Sequence, residues 1–318
     1  MASEVQRIDV HHHVLPEFYK DVQRAAGITG SAYAPFPEWS AEKSLELMDA
    51  NRIGASVFSF TSPGIFFGDV AQTRDLARRF NDWLAELVAS NPARFGAFAF
   101  LPLPDVDASL REIERIVDDL KLDGICLLTS VDERYIGHMD FWPVYEELNR
   151  RKVVTFIHPC YPPGTEARGW DIPRMLIDYP FETTRVATNL IFNGVTEKLP
   201  DIPFILSHAG GTLPMLAHRI SLFDKKTKHR DNYPQGALAY IKRFYFDTAL
   251  SGHKAPLDAL RAFVPDTQIL FGTDFPYISA DMATQETSDF DAYEGFTPEQ
   301  REAVERANAL RLFPRFAR

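Results

Sequence analysis

The sequence predicts a (β/α)₈ barrel with a metal site at the C-terminal mouth of its strands. Three observations carry that expectation. Eight short apolar runs recur along the 318 residues, helical patterns fill the intervals, and several runs end in a histidine or an aspartate. Near-continuous apolar runs are what strands covered on both faces require. Strand and helix in strict alternation give a parallel sheet, either closed into a barrel or open and doubly wound. Periodicity alone leaves both topologies open, and the barrel is the first expectation.

The strand candidates, in order, are Arg7–His13, Ala55–Phe60, Phe95–Leu101, Gly124–Thr129, Val153–His158, Pro203–His208, Phe244–Leu250 and Gln268–Gly272. Between the third and fourth, Leu110, Ile113, Ile116, Val117 and Leu120 recur at helical spacing behind Asp107 and Ser109, which read as caps. Near the end, Thr297-Pro298-Glu299-Gln300 reads as a capping box with proline at the first helical position. Residues 14–39 and 159–180 are rich in proline, glycine and aromatics and are long for βα loops. Each follows a strand that ends in histidine, so in a barrel both cover the mouth. No repeat, low-complexity tract or linker divides the chain, and residues 1–318 read as one domain.

Composition narrows the function. A formal net charge of −10 excludes a broad nucleic-acid surface. It leaves room for a small anionic substrate held by local arginines. No run of about 18 apolar residues appears, so no membrane span is expected. The opening MASEVQRIDV lacks the apolar core of a signal peptide, and two cysteines make no disulfide framework. A cytoplasmic enzyme is the expectation.

The polar residues that end strands carry the chemistry. Side chains alternate along a strand, so in "RIDVHHH" His11 and His13 share one face and His12 takes the other. Asp9 is expected on the face of His11 and His13, one step deeper. His12 is expected to pack or hydrogen-bond behind the barrel wall. "VVTFIHP" ends in His158, "FILSHAGG" in His208 and "ILFGTDFPY" in Asp274. Strand ends far apart in sequence thus converge on one mouth. Imidazoles with a carboxylate suit zinc, manganese or iron. His138, His218, His229 and His253 lack this context and read as ordinary surface or helix residues, and Cys160 as a buried structural cysteine.

"IDVHHH", "FIHP", "LSHAGG" and "FGTDFPY", with "NPARFGAFAFLPLPD" and "YPFETTRVATNLIFNGVTEKLPDIPFILSHAGGTLP", resemble the signature segments of the amidohydrolase-2 group of the amidohydrolase superfamily. That group includes aminocarboxymuconate-semialdehyde decarboxylases and metal-dependent aromatic acid decarboxylases, and the resemblance spans nearly the whole chain. It implies that His11, His13, His158 and Asp274 are metal ligands and that His208 is catalytic. The fourth strand, "GICLLTS", lacks the lysine of two-metal relatives, which implies one divalent metal, zinc in the first instance and manganese as the alternative.

The semialdehyde decarboxylases hold a substrate carboxylate with an arginine from the loop after strand one. Here that stretch offers only Arg24, in a segment that does not align. Arg219 matches a family arginine that reaches a neighbouring subunit's site, which implies a homodimer or higher homo-oligomer. The shorter first loop resembles the salicylate-type branch, so the implied reaction is loss of CO₂ from a small ortho-hydroxy aromatic acid, such as 6-methylsalicylate. Asp274 is then the first candidate for the acid, with His208 positioning it or moving its proton. Tyr277, Phe275, Tyr161, Trp170 and Phe181 are candidates for an aromatic wall against the substrate ring. The rival expectation is hydrolysis of a lactone, ester or amide at the same metal site.

Overall fold

A computed structural model describes residues 6–31, 34–162 and 173–317. Eight parallel strands follow one another in sequence order around a single sheet. They are β1 (Arg7–His13), β2 (Ile53–Ser59), β3 (Phe95–Phe100), β4 (Gly124–Leu128), β5 (Thr155–His158), β6 (Phe204–Leu206), β7 (Tyr245–Asp247) and β8 (Ile269–Leu270). Unbroken sequential order excludes the open doubly wound alternative, in which strand order reverses at a switch point. Backbone hydrogen bonds close the ring between its ends. Val10 N–H donates to Phe271 O at 3.0 Å, Asp274 N–H to His11 O at 2.7 Å and His13 N–H to Phe275 O at 2.7 Å.

The helices between the strands include α1 (Glu17–Ala25), α2 (Ala41–Ala50), α3 (Val70–Ser90), α4 (Val106–Arg115), α5 (Trp142–Arg151) and α6 (Asp178–Phe192). Their apolar stripes cover the outside of the sheet, and rings such as Phe58, Phe60, Phe80 and Phe95 are fully buried there. The helix Pro298–Glu302 opens with the expected capping box. The cap of α4 differs from expectation. Asp105, not Asp107 or Ser109, accepts the Ala108 N–H at 3.0 Å, because the helix begins two residues earlier than its apolar stripe suggests.

Strands six to eight are shorter than their apolar runs. The chain leaves the ladder where polar residues turn into the mouth. His208 and Asp274 both take left-handed backbone, with φ of 54° and 64°. Such conformations are costly for residues with a Cβ and persist where surroundings impose them, often at functional sites. Glycine makes the close approaches there. A Cβ on Gly272 would lie 2.8 Å from His11 Cβ, and one on Gly211 would lie 2.0 Å from Pro180 O. No helix among the described residues is long and apolar enough to cross a membrane.

The opposite end of the barrel is held by a buried cation. Arg7, at the start of β1, is 1% exposed. It donates from Nη2 to Glu305 Oε1 at 2.9 Å and from Nη1 to Asn51 O at 3.0 Å, and it also pairs with Asp291. Removing one partner of a buried pair strands the other charge. Arg7→Met is therefore expected to destabilise the fold by about 3–5 kcal/mol. Urea denaturation followed by circular dichroism measures this, and a loss below about 1 kcal/mol would show that Glu305 finds another partner.

Candidate metal centre and active site

His11, His13, His158 and Asp274 each offer one donor atom, and these atoms all lie within 4.8 Å of one another. The two ends of the barrel seam supply three of them. His11 Nε2 and His13 Nε2 are 3.0 Å apart, and Asp274 Oδ1 lies 3.2 Å from the first and 3.0 Å from the second. His158 enters from β5, across the ring.

The other nitrogen of each ring is engaged. His11 Nδ1 lies 2.7 Å from Asp247 Oδ2, His13 Nδ1 2.9 Å from Ser59 Oγ, and His158 Nδ1 2.9 Å from both Thr61 Oγ1 and Pro159 O. Partners of this kind fix the ring and turn the remaining lone pair inward. Three imidazoles and a carboxylate so arranged could hold one divalent cation.

Electrostatics agree with that use. Burial opposes a charge on His11, but the carboxylates of Asp247 and Asp274 outweigh it and raise the ring to about 10. Burial, aided by the neighbouring His11, pushes His13 down to about 4, despite its hydrogen bond to Asp274. Burial and the adjacent imidazoles likewise hold His158 well below its usual value. Burial works against ionising Asp274, yet His11 and the hydrogen bonds from His11, His13 and His208 hold its carboxyl well below the usual range. The two carboxylates beside His11 thus favour positive charge at this point, which a divalent cation held by the cluster would supply.

His208 stands beside the cluster. Its Nε2 is 3.4 Å from Asp274 Oδ2, and its backbone N–H donates to Asp247 Oδ1 at 2.8 Å. Asp274 thus faces two ways, Oδ1 to the imidazole cluster and Oδ2 to His208. His158, His208 and Asp274 line a cavity of about 780 Å³ whose walls include Phe36, Tyr161, Tyr179 and Tyr277. Tyr277 meets the His13 ring edge-on at 5.4 Å.

Several residues lie elsewhere than the sequence suggested. His12 faces outward as expected, with Nδ1 3.0 Å from Asp9 Oδ2 and Nε2 3.0 Å from Ser44 Oγ on α2. Asp9 is a correction. A register irregularity between Asp9 and His12 inserts one residue relative to β2, so Asp9 shares the side of His12. There it accepts the Thr273 N–H at 3.1 Å and the Thr273 hydroxyl at 2.6 Å.

Phe275 is also corrected. It packs with Leu47, Ile278 and Ala283 and against the His12 ring, behind the wall and not in the cavity. Phe181 and Arg219 line a separate surface groove and do not meet the cluster within this chain. Arg24 is exposed and paired with Glu17 and Asp21. Cys160 is buried against Thr129 and Ser130. Trp170 lies outside the described residues.

Residues the sequence reading passed over complete the site. Asp247 ends β7 within "FYFDTAL", a carboxylate in an apolar run, which was the available signal. Ser59, a hydroxyl within the second apolar run, carried a similar signal, whereas Thr61, Tyr179, Gln23 and Arg174 sit where nothing in the periodicity marks them.

A three-histidine, one-aspartate metal site at the mouth of a parallel eight-stranded barrel is the arrangement of metal-dependent amidohydrolase-type enzymes. The chain belongs to the amidohydrolase family, whose sequence pattern matches residues 8–315. It is 37% identical to the decarboxylase yanB of Aspergillus niger, over 98% of this chain and 88% of that one. It is 35% identical to the 6-methylsalicylic acid decarboxylase of Penicillium expansum, over 97% and 96%. Among solved structures, it resembles the dihydroxybenzoic acid decarboxylase of Polaromonas sp. with bound manganese and 2-nitroresorcinol, with a TM-score of 0.83, 26% identity and coverage of 97% of both chains.

The strand geometry makes a prediction. His11→Ala or His13→Ala is expected to lose bound metal, whereas His12→Ala retains it near the wild-type level. Elemental analysis of the purified variants checks this. Loss of metal from His12→Ala with retention in the other two would reverse the register.

Proposed function

We propose that this protein is a carboxy-lyase, a metal-dependent decarboxylase that removes CO₂ without oxidation from a small ortho-hydroxy aromatic acid of the 6-methylsalicylate type. One observation carries the reading. A three-histidine, one-aspartate cluster and an adjoining histidine open into a cavity walled by aromatic side chains. Relatives named as decarboxylases, similar over nearly the whole chain, support it.

A divalent cation in the cluster supplies positive charge that orients and stabilises the substrate's carboxylate and ortho oxygen. Zinc is proposed, because it suits three imidazoles and a carboxylate. Manganese, present in the Polaromonas relative's structure, is the alternative.

The chain's own residues then manage the ring and the proton. Tyr277 and Tyr179 give the flat ring apolar faces to lie against. Direct loss of CO₂ would leave an unstable aryl carbanion, so the carbon bearing the carboxylate must gain a proton first. Asp274 is proposed as the acid. His208, with Nε2 3.4 Å from Asp274 Oδ2, is placed to pass it that proton. The ring carbon takes this proton, the C–C bond breaks, its electrons restore aromaticity, and CO₂ departs neutral.

Asp274→Asn keeps the size and one donor oxygen but loses the acid. It is expected to retain appreciable metal and to bind hydroxybenzoate while losing roughly 10²- to 10⁴-fold in rate. In heavy water, wild-type product is expected to carry deuterium at the former carboxylate position, read by mass spectrometry. Deuterium elsewhere, or an Asn variant with near-normal rate, would remove Asp274 from the acid role. Cleavage of a lactone or ester with no CO₂ from any hydroxybenzoate would make the protein a hydrolase.

We further propose that the protein works as a homodimer or higher oligomer. Phe181 on α6 and Phe223 line the groove that holds Arg219 and are exposed, as are Met215 and Leu222 on the helix Leu213–Leu222 that carries Arg219. Exposed apolar clusters of this kind mark contact surfaces. Through such a contact Arg219 would reach the neighbouring subunit's substrate. Light scattering is expected to give at least twice the monomer mass, and a fully active monomer would sink both the assembly and the role of Arg219.

A further inference from the structure

Among the described residues lining the catalytic cavity, two carry buried side-chain nitrogens without a hydrogen-bond partner: His208, at Nδ1, and Gln23, at Nε2. His208 has a place in the proposed proton path. Gln23 has none, and the fold does not explain it. It is 2% exposed on the last turn of α1, one helical turn beyond Tyr19, whose hydroxyl donates to Gly64 O at 2.8 Å. A buried amide nitrogen without a partner forfeits the hydrogen bonds it makes to water in the unfolded chain, so protein interiors seldom leave one. Where such an amide borders a ligand cavity, the ligand is the natural missing partner. The terminal torsion of glutamine is soft, and a small turn presents either N–H or C=O to the cavity.

The chemistry of the lining indicates which substrate group Gln23 meets. In the proposed reaction, the carboxylate and the ortho oxygen would face the cation that His11, His13, His158 and Asp274 would hold. The described lining offers one arginine, Arg174, which follows β5 and so approaches from across the ring of strands. It bonds Asp178 at 2.8 Å and lies over the Tyr161 ring at 4.4 Å. Charged partners for charged groups are thus provided without Gln23. A neutral amide is donor and acceptor together, and the matching group is a hydroxyl, which is also both.

We propose that Gln23 determines specificity by hydrogen-bonding a further ring hydroxyl. The enzyme then prefers an ortho-hydroxy aromatic acid with a second hydroxyl over the same acid without it. The proposal rests on the decarboxylase reading for the placement of the acid group.

The test compares salicylate with the dihydroxybenzoates that retain the ortho hydroxyl, on metal-loaded wild type and on Gln23→Leu. At least one dihydroxybenzoate is expected to exceed salicylate by about 10- to 100-fold in kcat/KM for wild type. In Gln23→Leu that ratio is expected to fall to near one. Gln23→Met, unbranched and of similar length, replaces the leucine variant if that one does not fold. Salicylate as the best wild-type substrate, a common factor of loss on every acid, or an unchanged ratio each overturns the proposal. Calorimetric Kd values for the same acids separate the two readings. A Gln23-dependent hydroxyl preference in binding without CO₂ release keeps this recognition and discards decarboxylation. Release of CO₂ with no such preference does the reverse.

Discussion

The site depends on one buried carboxylate. Asp247 Oδ2 lies 2.7 Å from His11 Nδ1, while Oδ1 accepts the backbone N–H groups of His208 at 2.8 Å and Ala249 at 3.1 Å. One side chain on β7 therefore orients an imidazole from β1 and sets the turn that carries His208 out of β6. Each of these contacts is sheltered from water, where a charge-assisted hydrogen bond counts for most. Gly272 serves the same end by omission, since a Cβ there would collide with His11 at 2.8 Å and crowd Asp247 at 3.2 Å.

Around that anchor the cluster is a balance of opposing charges. Two carboxylates flank His11, and the uncharged forms of His13 and His158 are favoured by burial. The carboxylates of Asp247 and Asp274, set among imidazoles that burial keeps neutral, give the cluster its appetite for a cation. Desolvation, which would penalise any one of these groups alone, becomes the reason that they act as a unit.

Much of this was legible in the sequence, for identifiable reasons. A two-residue repeat separated His11 and His13 from His12, and apolar runs that stop at His158, His208 and Asp274 marked the mouth. The misreadings share a cause as well. Asp9 was assigned by strict alternation, which one inserted residue in β1 reverses. Phe275 follows Asp274 immediately, but the left-handed backbone at Asp274 sends its ring behind the wall. Asp247 was visible as a carboxylate within an apolar strand and was overlooked. Gln23, Arg174 and Tyr179 come from a helix end and a connecting segment, where no periodicity ties a residue to a direction.

The seam between β1 and β8 has a consequence for how the protein is made. Both edges of that seam carry cluster residues, and they come from opposite ends of the chain. A chain emerging from the ribosome exposes β1, with its unsatisfied edge and two converging imidazoles, long before β8 exists. Loop closure of that length comes late in folding, and an open strand edge invites mispairing in the meantime. Completion of the barrel and completion of the cluster are therefore a single event. A cation held by His11, His13, His158 and Asp274 would tie residues from both sides of that seam, and a ligand that binds only the folded chain stabilises it.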